Sequence, residues 1–261
     1  MRHLQNELDL EDFYAALHSA EQSALLLDYD GTLAPFTTER DQAYPYAGVR
    51  ERLNRLNRSA GTRLVIVSGR PADDVVGLLG LESAPEVFGL HGAERRLRDG
   101  TTELVKLRET TRKGLAEADA WAEKHDLIHR CEIKPISRAF HWRGLTPEAT
   151  EAMRAGIVQQ WQDTAEFYGL VLHEFDGGLE LKADGIDKGS AVREILRELR
   201  NDAVVAYLGD DHTDEDAFAA LAGRGLRILV RTEERATAAD IWLQPPEELL
   251  TFLDSWLEAV D

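Results

Sequence analysis

The run Leu25, Leu26, Leu27, followed at once by Asp28 and Asp30, constrains this chain more than any other stretch. Three consecutive leucines read as a strand buried on both faces, the pattern of a parallel sheet. The two carboxylates share a direction because strand side chains repeat every second residue. Gly31, Thr32 and Pro35 then turn the chain. In an α/β sheet the chemistry sits just outside the carboxyl ends of the strands, which is where Asp28 and Asp30 fall. An acidic surface turn after a core strand would share the bare D-x-D pattern. D-x-D-G-T says more, since the glycine lets a ligand approach the backbone and the threonine hydroxyl can orient an acid.

Other apolar runs end in the same manner. Thr62 to Arg70 is read as a second strand, and Ser68 and Gly69 at its end can present a hydroxyl and a backbone N–H to an anion, although both residues are also ordinary turn formers. A short strand around Val87 and Phe88 leads into GLHGAE, where His91 is either a ligand contact or a hydrogen-bonded loop histidine. Lys188 opens a helix whose apolar face is Ala191, Ile195 and Leu199. A lysine there opposes the helix dipole unless it and the helix terminus share an anion. The strand Val204 to Leu208 ends in Asp210, Asp211, Asp214, Glu215 and Asp216. Carboxylates packed beside Asp28 and Asp30 would repel one another without a divalent cation among them, and hard oxygen ligands suit Mg²⁺. Strands at Leu226 to Val230 and Ile241 to Leu243 and a Pro-initiated terminal helix complete the pattern, with helices at Leu8 to Ala20 and Val49 to Ser59 earlier on.

Between about Thr101 and Leu181 this rhythm breaks. Helices around Arg112 to His125 and Pro147 to Tyr168 alternate with the strand-like segments CEIKPISRAFHWR and LVLHEFDGGLELK, which describes an α+β insert. Lys134, Arg138, His141 and Arg143 bring basic and imidazole groups together there. That cluster suits an anionic or hydroxyl-rich ligand, while simple alternation of a packed and a wet face accounts for the same spacing. Trp121 and Trp161 are read as core.

Composition narrows the function classes. A net charge of −18 argues against nucleic acid or an anionic membrane as partner, since both are polyanions. No apolar run approaches the roughly 20 residues that span a bilayer, and the amino terminus lacks the pattern of a secretory signal, so a cytoplasmic location is expected; a monomer is the default expectation. One cysteine, Cys131, excludes an internal disulfide.

Taken in order, DYDGT, SGR, the helix-opening DKG and GDDHTDE resemble the motifs of the haloacid dehalogenase (HAD) superfamily of phosphohydrolases, across nearly the whole chain. Within it, DYDGTLAP, VSGRP, GLHGAE, KPISRAFHWR, LELKADGIDKGSA and GDDHTDEDAF are most similar to the trehalose-6-phosphate phosphatase family. The resemblance implies an α/β fold, a doubly wound Rossmann-like core (residues 1–104 and 183–261) interrupted by an α+β cap (105–182). It implies Asp28 as nucleophile, Asp30 as general acid and base, and Ser68 and Lys188 as holders of the phosphoryl oxygens. Mg²⁺ would be bound by Asp28, the backbone carbonyl of Asp30 and Asp210, supported by Asp211 and Asp214, and Thr32 would orient Asp30. Gly69, Arg70, His91, Lys134, His141, Arg143, Glu180 and Lys182 would complete the contacts to a sugar phosphate. Phosphatases of other phosphorylated glycosides, a related sugar phosphomutase and a non-catalytic sugar-phosphate sensor are the alternatives, and the last is disfavoured because Asp28 and Asp30 are both present.

Overall fold

The computed structural model describes residues 2–4, 9–37, 39–142, 144–175 and 177–261. In chain order the elements are β1 (Arg2–His3), α1 (Leu10–Ser19), β2 (Ser23–Leu27), α2 (Val49–Arg58), β3 (Thr62–Val67), α3 (Ala72–Leu79), β4 (Glu86–Gly89), β5 (Glu94–Arg96), β6 (Thr102–Leu104), α4 (Glu109–Lys124), β7 (Cys131–Ile133), β8 (Ser137–His141), α5 (Pro147–Tyr168), β9 (Leu170–Phe175), β10 (Gly178–Ala183), α6 (Lys188–Glu198), β11 (Val204–Gly209), α7 (Glu215–Leu221), β12 (Leu226–Val230), β13 (Ile241–Leu243) and α8 (Glu247–Val260). They form two compact units, one of residues 1–105 and 186–261 and one of residues 106–185.

The first unit is built on a sheet ordered β1-β13-β12-β11-β2-β3-β4-β5-β6 among the described residues. Its centre, from β13 to β4, is parallel throughout. Strand β2 lies between β3, which follows it in the chain, and β11, which comes much later, so the winding direction reverses at the β2–β11 boundary. A doubly wound sheet opens its crevice at such a switch point. Alternation along β2 explains why it sits in the middle. Leu25 and Leu27 pack with α1, α2, α3 and α8, whereas Ala24 and Leu26 pack with α6 and α7. All three leucines are fully buried, and each contributes about 1.5–3 kcal/mol by leaving water, which anchors the strand that carries Asp28.

Helix bounds follow local chemistry. Helix α1 begins after Asp9, whose side chain accepts the Glu11 N–H, and it is shorter at both ends than its apolar stripe implies; Leu8 lies outside the described residues. Strand β3 stops at Val67, so Ser68 to Arg70 form a loop, not the strand end expected. The edge hairpin β5–β6 is built from charged and exposed residues and carries no apolar alternation.

The second unit is a four-stranded antiparallel sheet, β7-β8-β10-β9, with α4 and α5 packed on one face around Phe140, Trp161, Leu179 and Leu181. Trp161 is fully buried, and Trp121 packs against the same cluster at its partly buried edge. Helix α5 starts at Thr146, which caps the Ala149 N–H, has Pro147 in its first turn and ends at Gly169 in the left-handed region. Cys131 on β7 lies half-buried. Burial, reinforced by the Asp119 carboxylate, pushes its thiol up to about 11. Because the thiolate is the nucleophile, iodoacetamide at pH 8 is expected to alkylate Cys131 about 100-fold more slowly than a free thiol, as read by mass spectrometry. Among the described residues no helix is long and apolar enough to cross a membrane.

Candidate active site

The β2–β11 switch point gathers the acids. Strand pairing continues past β2, with the Asp28 N–H donating to the Leu208 carbonyl at 2.8 Å, so Asp28 stands beside the Gly209–Asp210 end of β11. Tyr29 points the other way, fully buried, and its hydroxyl donates to the Ala43 carbonyl at 2.6 Å. Gly31 then turns at φ +82°, a left-handed backbone that glycine adopts freely. A Cβ placed there would also lie 2.2 Å from Asp210 Oδ2. No other residue lets the two acid-bearing loops approach this closely.

Lys188, the first residue of α6, is 3% exposed, and its Nζ donates at 2.7 Å to both Asp28 Oδ1 and Asp214 Oδ1. Burial works against the ammonium, but the two carboxylates outweigh it and hold the lysine charged. Asp214 is saturated. Its Oδ1 also accepts from the Tyr207 hydroxyl at 2.6 Å, and its Oδ2 accepts the N–H groups of Asp210 and Asp211 at 3.0 Å each.

Asp210 is the contrast. It is 1% exposed, yet neither carboxylate oxygen has a hydrogen-bond partner among the described residues. Burial, then the charges of Asp28 and Asp214, push its carboxyl well up; Asp28 is raised by burial and by Asp214 despite Lys188. One oxygen from each of Asp28, Asp210 and Asp214 lies within 4.8 Å of the others. Three buried carboxyl groups beside one ammonium repel one another, and an orphaned oxygen pair on a buried acid costs free energy unless a proton or a cation meets it. The open Asp210 oxygens beside Asp28 therefore fit a divalent cation with hard oxygen preference.

Several side chains meet partners other than those expected. The Thr32 hydroxyl, fully buried, donates to Asp28 Oδ2 at 3.1 Å and does not orient Asp30. Asp30 is gripped by Arg70 instead, through two bonds of 2.7 Å, while the same guanidinium donates to the Arg40 carbonyl and lies over the Tyr29 ring at 5.8 Å. Arg70 thus meets a carboxylate of the protein. Asp211 is exposed and stands outside the acidic triad; its side chain caps the turn that leads to Asp214.

Ser68, 1% exposed, accepts the Arg70 N–H on Oγ at 3.1 Å, which leaves its own O–H to donate. The 90–92 turn is tied to the same strand end, with Leu90 N–H on the Arg70 carbonyl and His91 N–H on the Ser68 carbonyl, both at 2.9 Å. Leu90 and His91 are both left-handed, at φ 51° and 57°. That strain, about 1–3 kcal/mol each, is retained where a site needs it. It lays the His91 ring so close to Gly69 that a Cβ there would come within 2.6 Å of it.

In the second unit, alternation separates the basic cluster. Arg138 lies on the helix side, paired with Asp119. On the opposite face Glu180 Oε1 accepts from Ser137 Oγ at 2.6 Å and from Lys134 Nζ at 3.3 Å, and Glu132 pairs with His141 at 3.1 Å and with Lys134 at 3.4 Å. Lys182 shares this face, in register with Ser137. Arg143 lies outside the described residues. Glu132 was not anticipated, although its i+2 spacing from Lys134 is the alternation that marks the face. Tyr207 escaped notice too, because an aromatic inside an apolar strand reads as core.

A doubly wound sheet with an acid pair at its switch point, a lysine at a later helix start and a third acid after β11 defines a HAD-type phosphohydrolase. The chain belongs to the trehalose-phosphatase family, whose model matches residues 26–246, and it is a phosphoric monoester hydrolase. It is similar to probable trehalose-phosphate phosphatase 3 of Oryza sativa subsp. japonica, 27% identical and covering 92% of this chain and 70% of that protein. Probable trehalose-phosphate phosphatase D of Arabidopsis thaliana is 30% identical, covering 94% and 69% respectively. The fold matches that of Aspergillus fumigatus trehalose-6-phosphate phosphatase with a TM-score of 0.75 at 22% identity, over 97% of this chain and 98% of that one.

Proposed function

We propose that the protein hydrolyses trehalose 6-phosphate to trehalose and phosphate through an aspartyl phosphate on Asp28, using Mg²⁺. The observation that carries this reading is the buried meeting of Asp28, Lys188 and an Asp210 carboxylate without a donor among the described residues, at the switch point of the sheet. In the first step an Asp28 oxygen forms a bond to phosphorus while the bond from phosphorus to the sugar oxygen breaks, and Asp30 gives that oxygen a proton. In the second, Asp30 takes a proton from water as the water attacks phosphorus, and Asp28 leaves as carboxylate. Lys188 and the Ser68 hydroxyl hold phosphoryl oxygens as charge gathers on them. Asp28, Asp210 and the Asp30 backbone carbonyl would hold Mg²⁺, which when bound neutralises phosphoryl charge so that a carboxylate can approach. His91 and Gly69 complete the phosphate end. Lys134, His141, Glu180 and Lys182 are assigned to the sugar hydroxyls, because a site built to bond hydroxyls rejects esters that lack them. The enzyme is taken to act as a cytoplasmic monomer.

A phosphate-release panel tests the substrate. Trehalose 6-phosphate is expected to exceed sucrose phosphate and glucosyl- or mannosylglycerate phosphate by at least about tenfold in kcat/KM, roughly 1.4 kcal/mol in barrier. Equal turnover of another ester would remove trehalose from the reading and leave the hydrolysis. An isomeric sugar phosphate with no free phosphate would replace hydrolase by mutase.

A further inference from the structure

Asp210 poses a problem of aim. Its carboxylate is buried against Asp28 and Gly31, and no donor group holds either oxygen among the described residues, so its aim depends on how its backbone is held. One end of that backbone is fixed by the Asp210 N–H on Asp214. The other end meets Arg235. Its Nε donates to the Asp210 carbonyl at 3.1 Å and its Nη2 to the Asp211 carbonyl at 2.7 Å, with Arg231 Nη1 adding a longer contact to Asp210 at 3.4 Å. The Arg235 side chain is 13% exposed and is anchored by Glu215 and by the Ala236 carbonyl. Glu215 in turn accepts from Thr237 Oγ1 at 2.7 Å and the Ala238 N–H at 2.8 Å, so residues 235–238 form one latch over the acidic loop.

We propose that Arg235 is a positioning residue for the cation site, clamping two consecutive carbonyls so that the Asp210 carboxylate is presented to a divalent cation it does not itself touch. This rests on the proposed reading of Asp28, Asp210 and the Asp30 carbonyl as that cation's site. Only a planar fork spans two carbonyls and a carboxylate at once, so lysine is not an equivalent replacement. Removing a group that orients a metal ligand typically weakens metal binding 10- to 100-fold.

The test is calorimetric titration of the full chain with Mg²⁺ alone, on wild type, Arg235→Lys, Arg235→Ala and Glu215→Gln, together with metal-free melting curves. The expected result is a loss of Mg²⁺ affinity of about tenfold or more in both Arg235 variants, and a smaller loss in Glu215→Gln, with turnover recovered by raising Mg²⁺. Wild-type affinity in folded Arg235 variants overturns the inference, as does a lowered metal-free Tm with unchanged affinity, which is what a purely structural clip would give. If Arg235→Ala does not fold, Arg235→Lys and Glu215→Gln decide. A wild-type protein that takes up no Mg²⁺ would overturn the reading of the cation site and not the clamp alone.

Discussion

Asp28→Asn is expected to lower turnover of the sugar phosphate on the order of 10⁴-fold or more, with the protein still folded. An amide keeps the shape of the side chain and can still accept from Lys188, so the fold has little reason to fail. What it lacks is the charge that attacks phosphorus, and the neighbouring acids have other tasks: Asp214 is saturated by four donors, Asp210 is assigned to the cation and Asp30 to proton transfer. Steady-state phosphate release, with circular dichroism as the check on folding, decides it. Turnover within about tenfold of wild type would move the nucleophile elsewhere.

The second large effect falls on stability. Lys188→Met leaves Asp28, Asp210 and Asp214 buried around an apolar chain end. Stripping one partner from a buried ion pair costs about 3–5 kcal/mol, since the remaining charge has neither water nor counter-ion. Urea unfolding without divalent cation should show that loss, and phosphate release should fall by about 10²- to 10³-fold because a donor to the phosphoryl oxygens has gone. Adding Asp214→Asn to Lys188→Met should restore part of the stability by deleting one of the stranded charges. An unchanged urea midpoint in the single variant would mean the acids are not relying on Lys188.

Much of this is legible in the sequence, for a physical reason. A buried parallel strand admits only an apolar run, so a run that stops at two acids marks both the strand and the end where chemistry sits. Asp28, Asp210 and the helix opened by Lys188 were legible on that ground, as were β12, β13 and the whole of α5. Partners were not. Period-two alternation says that Asp28 and Asp30 share a direction but not which side chain each will meet: Thr32, expected on Asp30, meets Asp28, and Arg70, expected on the substrate, meets Asp30. The same limit hid Tyr207, whose hydroxyl chemistry is silent inside an apolar strand. Strands β5 and β6 lie at an exposed sheet edge, where charged residues keep unpaired backbone soluble and erase the apolar signal. Arg235 sits in a loop with no period at all, and its contacts span more than twenty residues.

The central claim is that the phosphoryl group passes through Asp28. Acid quenching during turnover, reduction with borohydride and peptide sequencing by mass spectrometry read it directly, since an acyl phosphate is reduced to an alcohol that marks the residue. Homoserine at position 28, absent without substrate, is the expected result. Phosphate release with position 28 unlabelled, or with the mark on another acid, would contradict it.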